Sequence, residues 1–221
     1  MLGIIPCGGK GSRWGGQYKE LLPLGKEKWV IDCCVDQMKS VGVKNFCIVS
    51  SLEKAGVLAQ HFSKEKYFDL NIFFVTQKYN LDMWGAILSA LPLSIALGGR
   101  SFFAMPDTFF GDSGFMKGRD FWDSGFSISL FDTQDGSRFG VYDSKNGITN
   151  KNPEFKNGNY RAWGNFSFDS SIAREWMNTK FMNYTEALNY TLNNHETYFN
   201  HLDYYYDFAT FEEYKCYLEH T

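Results

Sequence analysis

The first half of the chain alternates between short apolar runs and longer segments with helical spacing. The apolar runs are residues 2–7, 45–51, 70–77 and 100–107. The helical segments are residues 29–42, 51–62 and 83–99, the last of which is expected to be interrupted or to end near Pro92. Short apolar runs of this kind are typical of strands buried on both faces. Because the helical segments are long enough to cross over, the alternation predicts a mostly parallel, twisted sheet with helices on both faces.

The second half has a different pattern. Strand-like runs joined by Gly and Asn turns occupy residues 124–132, 137–150, 160–169 and 202–210. Helical segments occupy residues 170–180, 185–195 and 210–220, with Thr210 as the expected cap of the last one. This half is therefore expected to be more antiparallel. Since no linker or low-complexity stretch separates the halves, we expect a single domain over residues 1–221.

Composition and charge restrict the partners of the chain. A net charge of −3 provides no overall basic surface for a nucleic acid. The apolar runs are too short to span a membrane, and the chain does not open with a signal-peptide pattern. The cysteines are odd in number and include no C-x-x-C pair, which is typical of reduced thiols. We therefore expect a cytoplasmic protein without a membrane partner.

A glycine-rich, basic loop follows the first apolar run, at the edge of the sheet where open α/β proteins bind ligands. Glycines let backbone N–H groups approach an anion closely, and Lys10, Arg13 and Lys19 add positive charge. These features predict a phosphate-bearing ligand. The loop is not a dinucleotide-binding fingerprint, because Trp14 stands where its third glycine is required. It is not a Walker A loop either, because Ile4 stands at the first glycine position.

The loop resembles the signature of the sugar-1-phosphate nucleotidyltransferases. The matching segments are "GGKGSR" at residues 8–13 and "KELLPLG" at residues 19–25. The resemblance extends in family order through "VTQKYNLDMWGA" at 75–86, "FFAMPD" at 102–107, "SRFGVYD" at 137–143, "GNFSFD" at 164–169 and "YYYDFAT" at 204–210. The last of these motifs lacks the family's usual glycine, and Asn150 precedes Lys151 where the family has glutamate.

The resemblance implies a Rossmann-like nucleotidyltransferase fold, with a nucleotide-binding half at about 1–110 and a sugar-phosphate-binding half at about 111–221. It implies an enzyme that makes an NDP-sugar and pyrophosphate from an NTP and a sugar 1-phosphate. Arg13 would bind the leaving phosphates, and Lys19 would bridge the α-phosphate and the incoming phosphate. Asp107 and Asp207 would hold Mg²⁺, which usually takes one or two carboxylates and completes its shell with phosphates and water.

Further contacts follow from the same resemblance. The implied nucleotide-binding residues are Gly8, Gly9, Gly11, Ser12, Gln77 and Gly85. The implied substrate-binding residues are Asn150, Lys151 and Gly164. Because the Gln77 amide can pair with an imide edge, a pyrimidine NTP is expected, dTTP or UTP first and CTP next. Both a monomer and a homo-oligomer are compatible with the sequence.

Other functions fit parts of the pattern. A cytidylyltransferase for choline phosphate or a polyol phosphate would share the loop and Asp107, and a cationic acceptor would need an aromatic cage. A GT-A glycosyltransferase normally has an Asp-x-Asp metal site, which this sequence lacks. A non-catalytic nucleotide-binding regulator should have lost Arg13, Lys19 or Asp107, and all three are present.

Overall fold

The computed structural model describes residues 1–9, 14–79, 82–110, 115 and 125–220. Its strands are β1 (Leu2–Pro6), β2 (Asn45–Ser50), β3 (Asn71–Thr76), β4 (Arg100–Ala104), β5 (Thr108–Phe109), β6 (Phe126–Asp135), β7 (Tyr142–Asp143), β8 (Gly147–Ile148), β9 (Lys156–Asp169), β10 (Thr197–His201) and β11 (Tyr206–Asp207). Its helices are α1 (Val30–Ser40), α2 (Leu52–Phe62), α3 (Asp82–Leu97), α4 (Ser170–Asn178), α5 (Tyr184–Asn194) and α6 (Phe211–His220). Short 3₁₀ turns lie at Lys19–Leu21, Glu65–Tyr67 and Gly136–Arg138. A helix with the length and apolar character to cross a membrane is absent from the described residues.

A seven-stranded sheet in the order β10-β6-β9-β4-β1-β2-β3 forms the centre of the fold. β9 pairs antiparallel with both β4 and β6, whereas the other neighbouring strands are parallel. The mostly parallel sheet predicted from the sequence is confirmed, and β9 supplies the antiparallel character of the second half. The carboxyl ends of β1, β2, β3 and β4 therefore meet at one edge, which is where ligands bind in such sheets.

Alternate side chains of the central strands enter two apolar layers. In β1, Leu2 and Ile4 pack in the layer that contains buried side chains of α3, α4 and α5. Ile5 points to the opposite face and packs with buried side chains of α1 and α2. Phe102 and Phe103 of β4 divide between the two layers in the same way. Since both faces are covered, these strands read as continuous apolar runs in the sequence.

Some predicted element boundaries were wrong. α3 continues through Pro92, because burial of its inner face outweighs the loss of one backbone hydrogen bond. The edge strand β10 lies upstream of the predicted run 202–210, of which only β11 forms a ladder, with β5. Tyr205 in that run stacks on Phe131 with ring centroids 4.1 Å apart, so its side chain serves the core and not a strand. The run 137–150 contains only the two-residue strands of the β7–β8 hairpin.

A buried carboxylate ties down the start of α1. Asp32 accepts hydrogen bonds from the Trp29 N–H at 2.8 Å and from Lys66 Nζ at 2.6 Å. It also faces His61 Nε2 at 3.1 Å and accepts from the hydroxyl of Tyr67. Burial alone would raise the pKa of Asp32, but these hydrogen bonds outweigh burial and lower the pKa to about 2. Ionised Asp32 therefore stabilises the folded state.

We expect Asp32→Asn to lower the free energy of unfolding by about 2 kcal/mol at pH 7, because one pKa unit corresponds to about 1.4 kcal/mol. The pKa is depressed in the folded state, so the difference from wild type should be complete above about pH 4 and vanish as pH falls through the folded pKa near 2. Urea unfolding across this range measures it. Asp69→Asn, at an exposed ion pair with Lys39, should change stability by less than about 0.5 kcal/mol. A pH-independent effect of Asp32→Asn would contradict the assignment.

Candidate active site

The carboxyl edge of the sheet brings several predicted residues together. Gly8 and Gly9 follow β1, Gln77 follows β3, and Asp107 follows β4. Two adjoining cavities open at this edge. We call them the glutamine cavity, which has a volume of about 520 Å³ and contains Gln77, and the carboxylate cavity, which has a volume of about 390 Å³ and contains Asp107. Both cavities are lined by Asp82, Met83 and Met105.

Gln77 is held in place by the start of α3. Its Nε2 donates to the carbonyl of Tyr79 at 2.9 Å and to the carbonyl of Asp82 at 3.0 Å. A side chain at Gly8 would lie 2.6 Å from the Gln77 Oε1, and one at Gly85 would lie 2.9 Å from its Nε2. A side chain at Gly8 would therefore displace the Gln77 amide, and one at Gly85 would also lie 2.2 Å from the Tyr79 carbonyl oxygen. The sequence suggests that both the donor and the acceptor of the Gln77 amide are available to a base. In the structure the Nε2 donor is bonded to backbone carbonyls, and the Oε1 acceptor faces Gly8.

The carboxylate cavity contains a cluster of opposite charges. Lys19 donates to Asp107 Oδ2, and Arg138 donates to Asp207 Oδ2 at 2.8 Å. Arg138 also forms a double hydrogen bond with Glu213 on α6. Lys19, Asp107, Arg138 and Asp207 all line this cavity. Each of the two predicted metal-binding carboxylates therefore has a cationic partner.

A short antiparallel ribbon brings the two carboxylates together from distant parts of the chain. Asp207 pairs with Thr108 in the β5–β11 ladder. The N–H of Phe208 donates to the carbonyl of Asp107 at 2.9 Å. Because these residues are neighbours on adjacent strands, Asp107 and Asp207 interact through space. Burial and the charge of Asp107 raise the pKa of Asp207 to about 6, against the opposing effect of Arg138.

The environment of Lys19 favours its charged form. Burial alone would lower the pKa of Lys19, but the charge and hydrogen bond of Asp107 outweigh burial, and Asp207 and Glu20 act in the same direction. The pKa of Lys19 is therefore raised. A charged ammonium that lines a cavity can bind a phosphate oxygen or stabilise charge that develops on it.

The carboxylate pair has the donor set of a magnesium site. Asp107 is 3% exposed, and its Oδ1 has no hydrogen-bond partner. A buried carboxylate oxygen without a partner is unusual, and a hard cation would satisfy it. Within the described part of the chain, no group of three or more His, Cys, Asp or Glu side chains could hold a metal by itself. The site thus fits Mg²⁺ that completes its shell with phosphate and water.

The remaining predicted site residues lie at different distances from the cavities. Lys151 and Gly164 line the carboxylate cavity, and a side chain at Gly164 would lie 2.6 Å from the Tyr205 ring. Gly9 lines the glutamine cavity. The Asn150 side chain instead accepts a hydrogen bond from the hydroxyl of Thr185 on α5. The predicted residues outside the described part of the chain are Gly11, Ser12 and Arg13.

Sequence reasoning missed three charged residues near the site. Arg138 holds Asp207 and is itself bonded to Glu213, and Asp82 lines both cavities with a left-handed backbone (φ 48°). Arg138 could have been found, because it belongs to the "SRFGVYD" segment that resembles the family motif. Asp82 lies in the resembling segment at 75–86, but it stands there where the family commonly has a small residue or glycine, so the motif did not point to it. Glu213 lies just beyond the last motif, and its importance depends on which strands and helices surround it.

The chain matches the model of a known protein family over most of its length. The profile of nucleotidyl transferases matches residues 2–214. The chain belongs to the nucleotidyl transferase family. This confirms the family that the motifs predict, and the protein is a nucleotidyltransferase. Comparison with curated protein sequences gave no significant match.

Solved structures of similar shape share the fold of this nucleotidyltransferase. A protein assigned as a glucose-1-phosphate thymidylyltransferase from Bacillus anthracis, in complex with a sucrose, has a TM-score of 0.82 at 20% identity, covering 99% of this chain and 94% of its own. The UDP-glucose pyrophosphorylase from Acinetobacter baumannii has a TM-score of 0.76 at 16% identity, covering 99% and 92%. The UTP-bound form from the same organism has a TM-score of 0.73 at 16% identity, with the same coverage.

In this nucleotidyltransferase we expect Lys19→Met to leave Asp107 without a cation and to lower Tm by at least about 5 °C in EDTA. Mg²⁺ should then raise Tm more in the variant than in wild type, because it no longer competes with the Lys19 ammonium. Thermal unfolding with EDTA and with Mg²⁺ measures both effects. Lys28→Met, at an exposed ion pair 3.5 Å long, should behave like wild type. If Mg²⁺ raised the Tm of Lys19→Met and of wild type equally, Mg²⁺ and the Lys19 ammonium would not compete for Asp107.

Proposed function

We propose that this nucleotidyltransferase transfers a nucleotidyl group from an NTP to a sugar 1-phosphate and releases pyrophosphate, with Mg²⁺ as its cofactor. The observation that carries the proposal is the pair of adjoining cavities, one with an amide for a base and the other with Lys19 beside two carboxylates. The Bacillus anthracis and Acinetobacter baumannii neighbours, a glucose-1-phosphate thymidylyltransferase assignment and a UDP-glucose pyrophosphorylase, support the same reaction type.

In this reaction a phosphate oxygen of the acceptor attacks the α-phosphorus of the NTP. The bond from the α-phosphorus to the oxygen that bridges it to the β-phosphate breaks, and that oxygen leaves with pyrophosphate. Lys19 would hold the two phosphates in line and stabilise the charge that grows on them. Arg138 would keep Asp207 oriented, since it contacts both Asp207 and Glu213. Mg²⁺ held by Asp107 and Asp207 would supply further positive charge at the phosphates.

The nucleotide is proposed to be a pyrimidine NTP. Gln77 Oε1 is an acceptor beside Gly8, and uracil and thymine present an imide N–H to such an acceptor. Cytosine presents an acceptor at the same ring position, so CTP should follow UTP and dTTP. The UTP-bound neighbour supports this choice. The base would lie in the half formed by about residues 1–110, and the acceptor mainly in the half that follows.

A cationic acceptor such as choline phosphate is the second candidate. Four aromatic side chains line the carboxylate cavity: Phe139, Trp163, Tyr184 and Tyr205. Aromatic rings bind a quaternary ammonium through their faces, although they also pack well against sugars. An acceptor panel separates the two, because choline phosphate should be used in preference to every sugar 1-phosphate only if the second candidate is right.

Removal of the charge at Asp107 should lower turnover with folding intact. We expect Asp107→Asn to reduce the rate of pyrophosphate release by about 10²–10³-fold, the usual effect of losing one electrostatic contact to the reacting group. Asp207→Asn should reduce the rate of pyrophosphate release by a somewhat smaller factor. EDTA should abolish wild-type activity, and Mg²⁺ should restore it. Asp36→Asn, at a surface ion pair, is the control and should keep the wild-type rate. Near-normal turnover of Asp107→Asn at saturating Mg²⁺ would exclude Asp107 as a metal ligand.

The close packing of Gly8 against Gln77 predicts that a side chain at residue 8 affects the KM for the NTP more than the KM for the acceptor. Gly8→Ala places a methyl group 2.6 Å from Gln77 Oε1, so we expect the KM for the NTP to rise about tenfold with a smaller change in the acceptor KM. Gly56→Ala, on an open face of α2, should leave both values unchanged. Steady-state pyrophosphate release with UTP, dTTP, CTP, ATP and GTP tests the ranking as well. Equal or better turnover with ATP or GTP would refute the base assignment and leave the reaction intact.

A further inference from the structure

A buried ion pair lies beside the charge cluster and lines neither cavity. Lys54 Nζ lies 2.6 Å from Glu20 Oε1, and the side chains are only 4% and 1% exposed. The second carboxylate oxygen of Glu20 has no hydrogen-bond partner. Apolar side chains of similar volume often stabilise such a position as well as a buried ion pair does. Stability therefore gives little reason for this pair, and its place in the fold suggests another role.

At one end of the pair, Glu20 directly follows Lys19 in a 3₁₀ turn of three residues. The backbone closes this turn through hydrogen bonds from Leu21 N to the Tyr18 carbonyl (2.8 Å) and from Leu22 N to the Lys19 carbonyl (3.2 Å). No side chain caps the turn. In so short a turn a rotation would move neighbouring side chains together. The inward anchor at Glu20 therefore restrains the turn from which the Lys19 side chain extends to Asp107.

At the other end, Lys54 belongs to the first turn of α2. Its N–H donates to the hydroxyl of Ser51, the N-cap of α2, at 3.4 Å. Ser51 also lines the glutamine cavity. The ammonium of Lys54 lies 4.8 Å from the centroid of the Tyr18 ring, so the residue just before Lys19 contacts it as well. The ion pair thus connects a wall of the glutamine cavity to the lysine of the carboxylate cavity.

We propose that Glu20 and Lys54 are positioning residues that hold the Lys19 ammonium at the phosphates without touching a substrate. The pair places the Lys19 turn against α2, so that the lysine stays aligned with a nucleotide whose base lies beside Ser51. A neutral apolar pair would fill the same space but would lack the directional contact that sets the rotation of the turn. The proposal rests on the proposed function only where its test uses the reaction rate.

The test compares a charge-free pair with a conservative variant. In Glu20→Met/Lys54→Met we expect Tm to be unchanged or raised, with kcat lowered about 10–100-fold, as for a small misplacement of a catalytic group. The KM for the NTP should change less than about threefold, because the cavity walls are retained. The single variant Lys54→Arg keeps the positive charge opposite Glu20, so its kcat should stay close to the wild-type value. Lys66→Met removes the lysine of another 2.6 Å ion pair that lines neither cavity, and it should leave kcat unchanged.

A Lys19→Met background separates positioning from a direct catalytic or general structural effect. There the charge-free pair should cause no further loss of rate beyond about twofold, because no ammonium remains to be positioned. A further tenfold loss in that background, or a wild-type kcat for the charge-free pair with Lys19 present, would overturn the proposal.

Acylation by acetic anhydride, followed by mass spectrometry, provides a readout that needs no reaction. Lys19 is protected by its contact with Asp107, whereas Lys215 is 64% exposed and serves as the internal reference. We expect labelling of Lys19 relative to Lys215 to rise several-fold in the charge-free pair. Unchanged labelling would overturn the positioning role even if no NTP were a substrate. A rise in labelling without any pyrophosphate release by wild type would contradict the proposed function alone.

Discussion

The ion pair between Lys19 and Asp107 is the contact on which the rest of the site depends. It joins the turn before α1 to the turn after β4, 88 residues apart in the sequence. The β5–β11 ribbon places the buried Asp107 beside Asp207, whose side chain is 17% exposed, and two like charges in this position need cations close by. Lys19 serves one carboxylate and Arg138 serves the other. The pairing of these charges therefore restricts how the Lys19 turn, the turn after β4 and the β5–β11 ribbon can be arranged.

Aromatic packing and glycines shape the walls around this charge cluster. Tyr205 stacks on Phe131 with centroids 4.1 Å apart and with nearly parallel rings, and Gly164 leaves the space that the Tyr205 ring fills. Gly8 and Gly85 do the same for Gln77 in the other cavity. At this edge the charged side chains are paired with one another, Lys19 with Asp107 and Arg138 with Asp207.

Much of the fold and part of the site could be predicted from the sequence. The alternation of apolar runs and helical segments predicts the parallel sheet, since both patterns are local. Gln77 and Asp107 could be predicted as candidate site residues because they stand in short motifs that follow strands, and Lys19 because it stands in the basic motif after the glycine loop. Arg138 was missed although its motif was recognised, because its partners Asp207 and Glu213 are far away in the sequence. The predicted helix end near Pro92 and the predicted strand at 202–210 were wrong because tertiary packing outweighed the local sequence preference.

By itself, the sequence determined the alternation of strands and helices in the first half of the chain, the glycine-basic loop and the residue types available for phosphate chemistry. These features depend on periodicity and on motifs of a few residues, which the chain carries whether or not it is folded. Only the tertiary structure decided that Asp107 lies beside Asp207 and that Glu20 is buried against Lys54. It also decided that the Gln77 amide N–H group donates to the backbone carbonyls of Tyr79 and Asp82. The physical reason is that burial and charge pairing depend on the distance between side chains in space, and distance along the chain does not specify it.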